Sequence, residues 1–132
     1  MTKLRTFIVE DSGLIRESLI ATLEEATETE VVGHADDERS ALTWLENCRD
    51  RCDVVVVYVF LKTGSGLGVL NGLRLLSSAP RAVVLSNYAT DDIRSRCLAL
   101  GAVRVFDKSQ QIEEMLAWFN EQGAIDTSLS YH

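Results

Sequence analysis

The sequence lacks any long apolar run. The longest apolar segment, which begins at Val54, is far shorter than the roughly 18 residues that a membrane-spanning helix needs. No basic leader followed by an apolar stretch occurs near Met1, so a signal peptide is not predicted either. We therefore expect a soluble, cytoplasmic protein without a membrane partner.

Cysteine and proline are also scarce, with three and one residues respectively. Cys48 and Cys52 lie four residues apart, but no second Cys or His pair completes a zinc site, and Cys97 stands alone. We interpret the three as reduced thiols, and a redox pair or metal half-site is the alternative. The single proline, Pro80, is predicted to lie in a connecting loop.

Basic residues are also few relative to acidic ones. Asp and Glu number 20 against 13 Lys and Arg, which gives a formal net charge of -7, and no cluster of basic residues occurs. A field of that sign repels nucleic acid, so direct DNA or RNA binding is not expected. The length of 132 residues suits one domain. We predict a single domain over 1–132, with a core at about 4–122 and a loose segment at 123–132.

Short apolar runs and amphipathic helical patterns alternate along the chain. The runs typical of β-strands are at 6–9, 31–35, 54–60, 82–85 and 103–106. Each is followed by a segment with apolar residues at helical spacing. This alternation predicts an α/β fold, a doubly wound five-stranded parallel sheet flanked by five helices.

Polar residues follow four of the predicted strands. They are Glu10 and Asp11 after the first, Tyr58 at the end of the third, Ser86 and Asn87 after the fourth, and Lys108 after the fifth. Ligands of open parallel sheets bind beyond the carboxyl ends of the strands. We therefore expect these side chains to form a site at one edge of the sheet.

Four motifs in chain order resemble the receiver domain of response regulators, the phosphorylated module of two-component phosphorelay signal transduction. The resemblance covers roughly residues 4–122. It is carried by Phe7-Ile8-Val9-Glu10-Asp11 with Ile15-Arg16, Cys52-Asp53 before the central strand with Gly64 and Gly66 after it, Leu85-Ser86-Asn87, and Gly101-Ala102 with Phe106-Asp107-Lys108.

The resemblance implies a flavodoxin-like fold of the receiver type and a set of site roles. Glu10, Asp11 and the backbone carbonyl of Phe60 would hold Mg²⁺, which prefers oxygen ligands. Ser86, Asn87 and Lys108 would contact or respond to a phosphoryl group. Such a domain is not an enzyme in the turnover sense.

The resemblance also implies partners. These are a sensor histidine kinase or phosphotransfer protein, an output domain or downstream protein, or a second copy of the chain. Binding to the output would use the face formed by the fourth helix, fifth strand and fifth helix, on or near which Arg94, Arg104 and Met115 are expected. The chain would be a free-standing receiver or part of a longer regulator.

The phosphoacceptor position departs from the family pattern. Five residues after Asp53, where the acceptor aspartate should stand, the sequence has Tyr58. A phenol has a pKa near 10 and is a poor nucleophile without an adjacent base. We therefore predict that this chain does not accept a phosphoryl group in the usual way. Tyr58 is interpreted as a natural loss of the acceptor, an introduced replacement, or a site of new chemistry. Because the other site residues remain, we favour a recent or deliberate replacement.

Smaller departures and alternatives accompany this one. The switch position that is usually aromatic is Val105, with Phe106 beside it, and Ser109 replaces the usual proline, so an ordinary activation switch is in doubt. With one carboxylate fewer, Mg²⁺ should bind weakly, and Lys108 is expected to pair with Glu10 or Asp11.

Ser86 is expected either to contact phosphate or to cap the next helix or loop, and it is also an alternative phosphoacceptor. The rival function is a flavodoxin-like cofactor-binding protein or enzyme on the same fold.

Overall fold

A computed structural model describes the backbone of residues 3–129 and the side chains of residues 3–122. Within them, five strands and five α-helices alternate along the chain. Their bounds are β1 Leu4–Val9, α1 Gly13–Ala26, β2 Thr29–Ala35, α2 Glu38–Cys48, β3 Val54–Tyr58, α3 Gly66–Arg74, β4 Arg81–Ser86, α4 Asp91–Ala99, β5 Arg104–Asp107 and α5 Ile112–Leu129. A short 3₁₀ helix, Arg49–Arg51, follows α2.

All neighbouring strands are parallel and lie in the order β2-β1-β3-β4-β5. The chain thus starts near the middle of the sheet, winds to one edge and returns to build the other. The strand order reverses between β1 and β3, where Val9 pairs with Val57. The predicted doubly wound, five-stranded α/β fold is confirmed.

β3 is the central strand, and every one of its residues is buried. Its side chains alternate between the two faces of the sheet, as a strand requires. Val55 and Val57 pack with residues of α2, α3 and α4. Val54, Val56 and Tyr58 pack instead with residues of α1 and α5. Tyr58 therefore lies at the carboxyl end of the strand, on the side covered by α1 and α5.

Four helices begin at polar caps that follow the carboxyl ends of strands. The side chains of Ser12, Asp37, Ser65 and Thr90 each accept a hydrogen bond from a backbone N–H in the first turn of α1, α2, α3 and α4. Such caps satisfy donors that the helix itself cannot pair. They fix the loops that surround the candidate site.

Some element bounds differ from the prediction. β3 ends at Tyr58, and Phe60 forms an isolated antiparallel bridge with Ser65. The backbone of α5 continues past Gly123 to Leu129, so residues 123–129 are helical where the sequence predicted a loose segment. A single glycine weakens a helix by only about 1 kcal/mol, which does not force it to end. Residues 130–132 of that predicted segment lie outside the described residues.

Between residues 3 and 129, no helix is both long and apolar enough to cross a bilayer.

Candidate functional site

A cavity of about 400 Å³ lies at the carboxyl ends of β1, β3, β4 and β5. Its lining includes every residue that the sequence predicted for the phosphoacceptor, phosphate-contact and metal positions: Glu10, Asp11, Tyr58, Phe60, Ser86, Asn87 and Lys108. Residues from four strand ends thus come together because parallel strands all end at the same edge of the sheet.

The two acids of the cavity differ in environment. Glu10 is 3% exposed, and its Oε1 accepts a hydrogen bond from the Ser12 N–H at 2.9 Å. Burial raises the pKa of Glu10, and the neighbouring Asp11 raises it further. The pKa of Asp11 is lowered by its contact with the Glu10 carboxyl and by the Lys62 N–H, which donates to Oδ2 at 2.5 Å. The pair therefore holds a proton on Glu10 more readily than on Asp11.

Two further residues position these acids, and the sequence did not single out their roles. One nitrogen of the Arg16 guanidinium donates to the Glu10 carbonyl at 2.8 Å and to Asp36 Oδ1 at 2.7 Å. The backbone of Lys62 reaches Asp11 from the loop after β3. The contacts of Arg16 with Asp36 and of Lys62 with Asp11 join residues 20 and 51 positions apart, so the only available signal was the presence of Arg16 in the first motif.

Tyr58 forms one wall of the cavity and is 7% exposed. Burial raises the pKa of its phenol well above the ordinary value, and the charge of Glu10 raises it further. The group is therefore neutral at physiological pH. The Tyr58 side chain also lines an apolar groove of about 360 Å³ between α1 and α5, beside Ile15, Leu19 and Ile112.

Lys108 does not make the ion pair that the sequence predicted. Among the described residues, the ion pairs are Arg5–Asp53, Arg16–Asp36 and Arg96–Asp92. The Lys108 Nζ lies 5.5 Å from the centroid of the Tyr58 ring instead. The prediction of an ion pair with Glu10 or Asp11 is wrong, because the amine lies over the aromatic face of Tyr58.

Ser86 is the last residue of β4 and is 2% exposed. Its Oγ has no hydrogen-bond partner, the one such buried side-chain atom among the residues that the structure describes. Thr90 caps α4, and the Ser86 Oγ accepts no hydrogen bond, so the predicted alternative that Ser86 caps the next helix or loop is wrong. The backbone carbonyl of Ser86 accepts a hydrogen bond from the Lys108 N–H at 2.8 Å, which connects the ends of β4 and β5.

The two residues at the switch position both lie in the core, on opposite faces of the sheet. Val105 is 6% exposed and packs on the side of α2, α3 and α4. Phe106 is fully buried on the side of α1 and α5. Because neighbouring residues of a strand point to opposite faces, Phe106 cannot take over the role of an aromatic at position 105.

The face formed by α4, β5 and α5 contains Arg94 and Arg104 but not Met115. Arg104 is exposed, and its guanidinium lies 4.9 Å from the ring centroid of Phe106. Met115, which was predicted on or near this face, belongs to α5 but is fully buried between that helix and the sheet, so it lies near the face and not on its exposed surface. It lies on the same side of α5 as Phe119, four residues on, and that stripe faces the sheet.

The family model for the response regulator receiver domain matches residues 6–120. The chain belongs to this family. As a receiver domain it is 32% identical over 109 residues to protein-glutamate methylesterase/protein-glutamine glutaminase 5 of Myxococcus xanthus, with 82% of this chain covered. The match spans only 31% of that protein's length, so less than a third of the relative is represented.

Solved structures support the same fold. The response regulator domain of Thermotoga maritima CheB superimposes with a TM-score of 0.79 at 21% identity, covering 91% of this chain and 96% of that one. A CheX–CheY–BeF₃–Mg²⁺ complex from Borrelia burgdorferi gives a TM-score of 0.74 at 18% identity, covering 88% and 89%. At these identities the likeness concerns the fold of the receiver domain alone.

The donors in the cavity match Mg²⁺ in kind but are few. Glu10 and Asp11 are oxygen ligands of the type this ion prefers. One oxygen of each already accepts a backbone N–H. Among the described residues, no group of three or more His, Cys, Asp or Glu side chains could hold a metal. The cavity thus offers two carboxylates, those of Glu10 and Asp11, beside the phenol of Tyr58.

Proposed function

We propose that this receiver domain acts in two-component signalling by binding a partner without accepting a phosphoryl group at position 58. The observation that supports this most directly is the state of Tyr58, a buried neutral phenol at the acceptor position. A phenol attacks phosphorus only when a base removes its proton. Glu10, whose charge acts on the phenol, is a far weaker base than a phenolate, and its Oε1 already accepts the Ser12 N–H.

Ser86 is a poor alternative acceptor. Its hydroxyl is buried and hydrogen-bonds to no base among the described residues, so nothing there activates it as a nucleophile. Together with the Lys108 amine it remains a suitable contact for phosphoryl oxygens rather than the attacking group. Asn87, which is exposed at the rim of the cavity, would accompany them.

Magnesium would be held by Glu10, Asp11 and the Phe60 carbonyl, and more weakly than in a receiver with three carboxylates. When bound, the ion neutralises charge on phosphoryl oxygens. In its absence, the loss of one carboxylate reduces like-charge crowding, since Tyr58 is neutral. The domain is therefore expected to be stable without metal.

The partners that fit this proposal are a sensor histidine kinase or phosphotransfer protein, an output domain or downstream protein, and possible self-association. The face formed by α4, β5 and α5, which contains Arg94 and Arg104, would bind the output domain or downstream protein. The protein would act in the cytoplasm. The domain would carry out no turnover chemistry. The methylesterase activity named for the Myxococcus xanthus relative belongs to a protein of which this chain matches less than a third.

A flavodoxin-like cofactor binder or enzyme is the rival proposal. It requires a loop after β1 that binds phosphate through backbone N–H groups and small polar side chains. That loop here contains Glu10 and Asp11, and their charge repels a phosphate that is not accompanied by a metal. Purified protein without flavin absorbance would count against this rival.

Intact-mass measurement after incubation with acetyl phosphate and Mg²⁺ tests the proposal. In a Tyr58→Asp variant, a carboxylate oxygen attacks phosphorus while the bond to the acetate oxygen breaks, and acetate leaves. We expect this variant to gain the mass of one phosphoryl group. The unmodified chain and a Tyr58→Phe control should gain none.

Phosphate on the unmodified chain would overturn the proposal, and the Tyr58→Phe control would show whether Tyr58 carries it. Failure of Tyr58→Asp to gain mass would mean that the rest of the site, Lys108 and Ser86 included, no longer supports transfer.

A further inference from the structure

Arg94 of α4 connects three parts of the chain through its guanidinium. Its Nε donates to the Ala89 carbonyl at 3.1 Å, in the loop between β4 and α4. One terminal nitrogen donates to the Val105 carbonyl of β5 at 2.8 Å. The other donates to Gln111 Oε1, just before α5, at 2.6 Å. A planar guanidinium presents donors on three nitrogens in a fixed fork that reaches these separated acceptors, whereas the three donors of a lysine amine all start from one atom.

Asp107, at the end of β5, makes a second set of contacts to the same loops. Its Oδ2 accepts the Ala89 N–H at 3.2 Å, and its Oδ1 accepts the N–H and hydroxyl of Ser109. The Asp107 N–H donates to the same Gln111 Oε1 that Arg94 contacts, at 2.8 Å. Both polar backbone groups of Ala89 are therefore held by side chains.

We propose that Arg94, Asp107 and Gln111, here called the Arg94 cluster, act as a latch that holds the β4–α4 loop against β5 and the start of α5. The face of α4, β5 and α5 then keeps one arrangement. This inference rests on the proposed function, because it describes how the partner-binding face of an unphosphorylated receiver stays formed.

Val105 shows how the latch connects the β4–α4 loop to β5. Val105 occupies the place where the family resemblance implies a mobile aromatic side chain, yet its small side chain is buried and its carbonyl accepts from Arg94. The connection from the loop to β5 thus runs through the guanidinium, not through an aromatic ring. Arg94 is half-buried, so its charge-assisted hydrogen bonds are partly shielded from water.

The first two residues of the β4–α4 loop, Asn87 and Tyr88, make no side-chain contact with the Arg94 cluster. Ser86 is held by the Lys108 N–H, and Ala89 by Arg94 and Asp107. Between them, Asn87 and Tyr88 are exposed, with Tyr88 at 77%. A fixed loop that presents an exposed aromatic side chain is suited to contact a partner without the ordering entropy that a mobile loop would lose.

Amide hydrogen exchange on the full chain tests the latch without any phosphodonor, so its result is independent of whether position 58 can be phosphorylated. The reporters are the Ala89 and Asp107 amides, which donate directly to the cluster. In Arg94→Ala we expect both to exchange about ten-fold faster or more, since loss of charge-assisted hydrogen bonds opens the loop locally. Arg94→Lys should give an intermediate increase.

The matched control is Arg96→Ala. Arg96 lies on the same helix, but it is exposed and pairs only with Asp92. This variant should leave both reporters unchanged. The Val59 amide, which donates to the Leu85 carbonyl just beyond the end of β3, is the reporter for unfolding that spreads outside the cluster.

If Arg94→Ala loses protection at Val59 as well, Arg94→Lys and Gln111→Ala decide the question. Faster exchange at Ala89 or Asp107 with Val59 still protected supports the latch. The latch is overturned if the exchange rates of both reporters stay within about two-fold of the unmodified chain in the variants that remain folded. A two-fold change in rate corresponds to less free energy than one hydrogen bond contributes.

Discussion

The Lys108 amine lies 5.5 Å from the centroid of the Tyr58 ring, not against a carboxylate. A cation above an aromatic face is attracted by the ring's quadrupole. The neighbour of this cationic amine is therefore a neutral phenol ring. Its charge also lowers the pKa of Glu10, although this is the smallest of the causes acting on that group.

A double-mutant cycle between Lys108→Gln and Tyr58→Leu measures this contact. We expect a favourable coupling of about 0.5–1 kcal/mol in the free energy of unfolding, as found for partly exposed cation–π pairs. Urea denaturation of the unmodified chain, both single variants and the double variant gives the value. The same cycle with Lys62→Gln, an exposed lysine of the β3–α3 loop, is the control and should give none. Additive effects of Lys108→Gln and Tyr58→Leu would contradict the contact.

Tyr58 should make the domain sensitive to alkali. Because the pKa of its phenol is raised in the folded state, the neutral form is favoured there, and this stability is full below the unfolded value of 10.0. It is lost as pH rises above that value. The free energy of unfolding should thus fall more steeply above pH 10.0 in the unmodified chain than in Tyr58→Phe. Tyr88→Phe, at an exposed position, is the control and should retain the steep fall. If the free energy of unfolding of Tyr58→Phe had the same pH dependence as that of the unmodified chain, the prediction would be wrong.

Glu10 should be a source of instability at neutral pH. Its pKa is raised by burial, so the stability it contributes is present below 4.5 and is lost as pH rises through the folded-state value. Glu10→Gln keeps the acceptor for Ser12 and removes the buried charge. We expect it to stabilise the metal-free domain by about 1 kcal/mol at pH 7, with no gain below pH 4.5.

Glu17→Gln, at an exposed position of α1, is the matched control and should change little. Adding Mg²⁺ should reduce the difference in the free energy of unfolding between Glu10→Gln and the unmodified chain. The unmodified chain gains more from the ion because only it keeps both carboxylates. A Glu10→Gln variant that is less stable than the unmodified chain at pH 7 without metal would contradict the role of burial.

The fold and the membership of the cavity could be predicted from sequence because both follow from short-range patterns. Each strand is a local apolar run, and parallel strands place the residues that follow them at one edge, so Glu10, Tyr58, Ser86 and Lys108 had to meet. What the pattern could not give is which atoms pair. The amine of Lys108 had carboxylates and a ring within reach, and the choice depends on side-chain geometry in the folded chain.

The Arg94 cluster shows the same limit more sharply. Arg94, Asp107 and Gln111 belong to α4, β5 and the residue before α5, and their contacts span up to 17 positions. No spacing in the sequence indicates that one amide oxygen serves two donors. The burial of Met115 was open to prediction, since Phe119 lies four residues on along the same helical face. The family expectation of an exposed output face took precedence over that periodicity.

Gly66 places the start of α3 directly against the backbone of Tyr58 and Val59. A Cβ atom at this residue would lie 2.2 Å from the Tyr58 carbonyl oxygen and 2.8 Å from the Val59 Cα, both backbone atoms that cannot rotate away. Alanine normally favours a helix over glycine by about 1 kcal/mol. At Gly66 the clash should dominate, and we expect Gly66→Ala to destabilise the domain by about 2 kcal/mol or more, as strained insertions into packed sites do.

Gly13→Ala is the control, because a Cβ there would meet only a terminal nitrogen of Arg16 at an ordinary 3.7 Å. It should be neutral or stabilising. Thermal or urea denaturation of the two variants beside the unmodified chain gives the comparison. If Gly66→Ala were as stable as Gly13→Ala, the close approach of α3 to the β3 backbone would not be required for this fold. The backbone at Tyr58 and Val59 would then move enough to accommodate the added Cβ atom.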